Sequence, residues 1–193
     1  MTVSKPESSN PELLSSGASS AGALKPGSSN LKSGLTHVDD GGTARMVEVG
    51  GKPVTRRTAT ATVVCRMLPE TAEQIQLNSL KKGDVLAVAR LAAIQAAKRT
   101  DELIPLCHSL PLDSVSVDFK WLSKVRLEIA VTVSVTARTG VEMEAMVGAS
   151  IAGLTVYDMC KAIDRTLSLE EVALAAKTGG MNGDFRRSAS TEP

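Results

Sequence analysis

Aromatic side chains are almost missing from these 193 residues: Phe119, Trp121, Tyr157 and Phe185 are the only four. Proteins that hold single-stranded nucleic acid stack successive bases on aromatic rings, so a platform of that type is excluded for want of rings. Histidine is scarcer still, at two, and cysteine numbers three. Cys65, Cys107 and Cys160 are widely spaced and lack a C-x-x-C pair, which fits a reduced, cytoplasmic chain better than a disulfide framework. Adjacent Cys107 and His108 are poorly placed to grip one zinc ion, and nothing nearby in the sequence supplies the remaining ligands. Long apolar runs are absent too, none nearing the roughly 20 residues that a membrane span requires. Nor is there an excess of one charge. Taking the three lysines and two glutamates of residues 1–34 from totals of 22 and 21 leaves 19 basic and 19 acidic residues, so no basic face is offered to nucleic acid.

What is present falls into two kinds of material. Residues 1–34 hold ten serines and no aromatic or arginine, too little apolar surface to offset the entropy of ordering, and are expected to form a disordered tail. That stretch has no apolar h-region of a secretory signal, and its two glutamates argue against a mitochondrial leader. A plastid-type leader is left open. Residues 35–187 are expected to form one folded domain, with 188–193 a flexible C-terminus.

Two periodicities alternate in that domain. From Val125 through Leu127, Ile129, Val131, Val133 and Val135 the odd positions are apolar and most even ones polar, the pattern of a half-buried strand. Val115, Val117, Phe119 and Trp121 repeat it, so Leu122-Ser123-Lys124 is expected to turn an antiparallel hairpin. Further strands are read at Arg57–Cys65 and, more weakly, Ala44–Val49 and Leu169–Ala175. Helices are expected over Pro69–Leu80, over Asp84–Arg99 with Asp84 as N-cap, and over Val141–Asp164. Helices mixed with an antiparallel sheet make an α+β fold.

Four features suggest chemistry. Two prolines pin the apolar loop Leu103–Leu112, which presents His108 beside Cys107 at a set position; a core histidine bonded to a backbone carbonyl fits as well. Lys81-Lys82-Gly83 precedes a helix N-terminus, where free N–H groups favour an anion such as phosphate, although a solvated basic turn reads the same. Asp158 and Lys161 share a helix face; a surface ion pair is the plain meaning, but their neighbours are apolar, so the charges are expected to be buried and to need a reason. Glu142 and Glu144 lie in the first turn of that helix, where the dipole alone accounts for acids. Fourteen residues separate Glu144 from Asp158, about 21 Å along a straight helix, so one small ligand touching both requires two subunits.

Longer stretches carry a resemblance. Lys82-Gly83-Asp84-Val85, A-A-I-Q-A-A-K-R-T from Ala92 to Thr100, L-I-P-L-C-H-S-L-P-L from Leu103, G-V-E-M-E-A from Gly140, L-T-V-Y-D-M-C-K-A from Leu154 and A-K-T-G-G from Ala176 closely resemble the MoaC family, the cyclic pyranopterin monophosphate synthases of molybdenum-cofactor biosynthesis. The likeness runs from about Thr36 to Phe185. It implies a ferredoxin-like antiparallel sheet with helices packed on one face, in a homohexamer built as a trimer of dimers with sites at the dimer interface. The implied enzyme is a phosphorus–oxygen lyase. It converts 3′,8-cyclo-7,8-dihydro-GTP, supplied by an upstream radical GTP cyclase, into cyclic pyranopterin monophosphate with release of pyrophosphate. Asp158, Lys161 and Lys82 match the family's catalytic residues; Leu106, Cys107, His108, Met143 and Glu144 match substrate contacts, and Arg57 and Lys177 further site positions. The loop departs from the common pattern in reading His108-Ser109 where many members have His-Pro.

The residue types suit that reaction, since cations stabilise a departing pyrophosphate and a carboxylate, lysine or histidine moves protons. Magnesium is expected at most as a companion of the triphosphate, and no acidic cluster calls for a protein-bound metal. Two other readings stand beside the enzyme. A regulatory oligomer that binds a nucleotide or pterin explains the basic helix start but not the Asp158–Lys161 pair, and a purely structural oligomer would bind nothing.

Overall fold

The computed structural model of the chain describes residues 42–181 and 183–188; the tail expected over 1–34 lies outside them, as do residues 189–193 of the expected flexible C-terminus. Its elements run β1 (Thr55–Arg66), α1 (Pro69–Gln76), α2 (Val85–Ala97), α3 (Thr100–Leu103), β2 (Ser114–Ser123), β3 (Arg126–Ala137), α4 (Glu142–Cys160), β4 (Ser168–Thr178) and β5 (Phe185–Arg186). The strands form one antiparallel sheet ordered β2-β3-β1-β4-β5. With helices crossing between β1 and β2 and between β3 and β4, the first four strands have the ferredoxin-like arrangement.

The odd positions of β1 and β3 face the helices. Ala61, Val63, Cys65, Leu127, Ile129, Val131, Val133 and Val135 are wholly buried there, so the period-2 pattern predicts which side becomes core. Small residues set the helix spacing: a Cβ at Gly148 of α4 would stand 3.3 Å from the Ala93 carbonyl oxygen of α2 and 3.0 Å from Val131 of the sheet. The partner of the alanine-rich α2 is therefore α4 of the same chain.

Several boundaries move for local reasons. Asp84 caps α2 as expected, its carboxylate accepting from the Ala87 N–H at 2.9 Å. Helix α1 stops four residues short of Leu80, because Asn78 takes a left-handed conformation with φ of 50°. The hairpin turn is Lys124-Val125, and Val125 uses its carbonyl to accept from Met67 N–H rather than entering β3. The expected strand Ala44–Val49 does not form beyond an isolated bridge at Ala44. One acceptor of this segment serves a side chain instead, Val47 O taking His108 Nε2 at 3.0 Å, and just beyond it Lys52 O takes Arg138 Nε at 3.2 Å. No helix among the described residues is long and apolar enough to cross a membrane.

Candidate active site

One end of the sheet opens into a cleft of about 900 Å³. Its floor comes from the ends of β1 and β4, its walls from the loop after α3, the start of α4 and the segment before β1. The prolines hold Leu106, Cys107 and His108 along one wall, and Ser109 adds a tie of its own, its hydroxyl donating to the Asp101 carboxylate in the first turn of α3. His108 is bonded to a carbonyl, as a core histidine would be, yet it lines the cleft.

The first turn of α4 supplies Met143 and Glu144. Glu144 is 5% exposed, and its burial, with repulsion from Glu142 and Asp101, lifts its pKa from 4.5 to about 7. Val141 at the N-cap offers no side-chain hydrogen bond, and the Glu144 carboxyl accepts one from its own backbone N–H, which opposes the rise. Burial also raises the Cys107 thiol, with Glu144 and Asp101 adding to the effect. Cations line the cleft as well. Lys177 of β4 bonds Glu142 at 2.9 Å, and Arg57 of β1 donates Nε–H to Ala137 O at 3.2 Å. Lys52 and Arg138 bring the cations lining the cleft to four.

A second group lies at the far end of α4. Asp158 accepts from Lys161 Nζ at 2.5 Å, and Lys82 Nζ reaches its backbone oxygen at 2.7 Å and its carboxylate at 3.5 Å. The Lys161 hydrogen bond and charge, with the Lys82 charge, hold the Asp158 carboxyl below the usual carboxylate range, and Asp158 raises Lys161 in return. Contrary to expectation, these charges are not buried. The side chains of Asp158 and Lys161 are 59% and 51% exposed, because Val156, Met159 and Cys160 turn inward while Asp158 follows Leu154 on the outer face of the helix. The anion at the start of α2 is the chain's own Asp84 carboxylate; Lys82 turns across to α4.

A model of the MoaC family matches residues 46–180. The chain belongs to the MoaC family. A relative from Herpetosiphon aurantiacus, named cyclic pyranopterin monophosphate synthase, is 54% identical over 153 residues, 79% of this chain and 93% of its own. One from Novosphingobium aromaticivorans with the same name is 51% identical over 152 residues, 79% and 96% of the two chains. Cyclic pyranopterin monophosphate synthase 1 of Mycobacterium tuberculosis (strain ATCC 25618 / H37Rv) is 51% identical over 156 residues, 81% and 92%.

The fold divides the ten residues matched to MoaC motifs into two sets. Arg57, Leu106, Cys107, His108, Met143, Glu144 and Lys177 share the cleft. Lys82, Asp158 and Lys161 do not line it; the unbroken α4 keeps Asp158 about 21 Å along the axis from Glu144. Sequence reasoning missed Lys52 and Arg138. Each lies in an irregular segment whose residues show no periodicity, and only folding brings them to Arg57. Among the described residues, no three or more His, Cys, Asp or Glu side chains are arranged to hold a metal ion.

Proposed function

We propose that this protein makes cyclic pyranopterin monophosphate from 3′,8-cyclo-7,8-dihydro-GTP with release of pyrophosphate, as a phosphorus–oxygen lyase of molybdenum-cofactor biosynthesis. The carrying observation is the cleft, which four cations line together with His108 and a buried, easily protonated Glu144. Closing a cyclic phosphate forms one P–O bond at the inner phosphorus and breaks another, and the cations stabilise the charge that leaves with pyrophosphate. Any magnesium is assigned to the triphosphate rather than to a protein site. Ring rearrangement needs proton transfers, for which Asp158, held ionised between two lysines, is the base and Lys161 or His108 the acid.

Those two sets meet only across subunits. Met143, Val147, Ile151, Leu154 and Asp158 recur at helical spacing along the outer face of α4, and Met143 and Leu154 are exposed there. Val88 and Leu91 of α2 are exposed too, and we assign them with this stripe of α4 to the contact between copies. A twofold axis near Ile151 would set Asp158 of one copy against the Glu144 end of the other, completing two sites per dimer. We assign the protein to a hexamer of three such dimers, working in the cytoplasm on the product of a radical GTP cyclase. Incubation with the cyclic dihydro-GTP and mass spectrometry of the products tests the reading. Pterin and pyrophosphate support it; tight binding without turnover would favour a regulatory binder.

A further inference from the structure

Gly179 and Gly180 follow β4 in a stretch that the reaction leaves unexplained. Both have φ of +85°, which most side chains adopt only with strain. Their surroundings differ. A Cβ at Gly179 would stand 2.3 Å from the backbone oxygen of Arg56, so a larger residue there must displace β1 itself. A Cβ at Gly180 would meet only the tip of a side chain in its three nearest atoms: Arg57 Nη1 at 2.1 Å, Cζ at 3.0 Å and Nη2 at 3.4 Å. Arg57 is fixed on its other side, where Nε donates to Ala137 O. The guanidinium thus lies between the end of β3 and the turn after β4, in the wall of the cleft.

We propose that Gly180 is a positioning residue, whose bare α-carbon leaves the space in which the Arg57 guanidinium lies and so aims that cation into the cleft. The consequence for turnover rests on the proposed function, in which Arg57 holds phosphate. A planar fork anchored through Nε keeps its remaining donors in fixed directions, so displacing it loses aim as well as proximity. Because the crowded atoms end a long side chain, an added methyl is met by swinging the guanidinium aside rather than by opening the turn.

Gly183 supplies the control. Its φ of +71° strains a side chain comparably, but a Cβ there meets nothing within 4 Å. Gly180→Ala should therefore raise KM for the triphosphate substrate about tenfold or more, the range of one lost charged hydrogen bond, while Gly183→Ala leaves KM unchanged. In an Arg57→Ala background, Gly180→Ala should add nothing. An unchanged KM in Gly180→Ala, or a full additional loss in the double variant, overturns the proposal. A crystal structure of Gly180→Ala separates this claim from the functional one. If the unsubstituted protein yields no pterin, the functional reading falls, while a displaced guanidinium supports the positioning role and an unmoved one overturns it. Should Gly180→Ala not fold, Gly180→Asn carries the same Cβ on a residue that tolerates positive φ. Failure of both to fold, with Gly183→Ala intact, would make the glycine a purely structural requirement and also overturn the proposal.

Discussion

Replacing Glu144 by glutamine should stabilise the protein more at pH 8 than at pH 5. The carboxyl is buried, and that burial, reinforced by Glu142 and Asp101, moves its pKa from 4.5 to about 7. A raised value in the folded state means that folded protein keeps a proton which the unfolded chain gives up. Below pH 4.5 both states are protonated and the group costs nothing; the cost grows as pH rises and is complete above 7. Moving the pKa from 4.5 to about 7 corresponds to about 3 kcal/mol, of which about a quarter has accrued by pH 5. Glutamine keeps the shape and never ionises. Urea unfolding of both proteins at one concentration should therefore show Glu144→Gln gaining about 2–3 kcal/mol on the parent between pH 5 and pH 8. Cys107, also raised, titrates above this window. A stability difference that is the same at both pH values, or that narrows at pH 8, would refute burial as the cause.

Two further outcomes concern the exposed end of α4. Lys82→Ala should weaken binding of the triphosphate substrate more than of an analogue lacking the outer phosphates, by a margin that shrinks as salt rises; equal losses in a titration series would make Lys82 a structural or proton-transfer residue. Asp158→Asn should abolish product in a mass-spectrometric assay while sedimentation shows the oligomer intact, because the amide keeps size but cannot take a proton.

The sheet was legible wherever one face is buried. Alternation in β3 marked its core side, and Asp84 marked the start of α2, because both signals are local and agree with the tertiary environment. The four residues of α3 and two of β5 are too short to show a period. At Ala44–Val49 a weak strand pattern gave way to an irregular segment in which the His108 side chain claims the Val47 carbonyl. The site was half legible. Motifs located ten residues, and helix length alone separated Glu144 from Asp158. Exposure of Asp158 was misread because apolar neighbours in sequence occupy a different face of the helix. Lys52 and Arg138 were missed because only the tertiary fold brings them to the cleft that Arg57 also lines.

The central claim is that the cleft of one subunit is completed by Asp158, Lys161 and Lys82 of another. Mixing inactive His108→Ala with inactive Asp158→Asn protein, with subunit exchange verified by mass, tests it most directly. Half of randomly exchanged dimers are mixed, and each mixed dimer rebuilds one intact site of two, so activity should return to about a quarter of the unsubstituted level. A mixture that exchanges fully and stays inactive would contradict the shared site and confine each catalytic centre to a single chain.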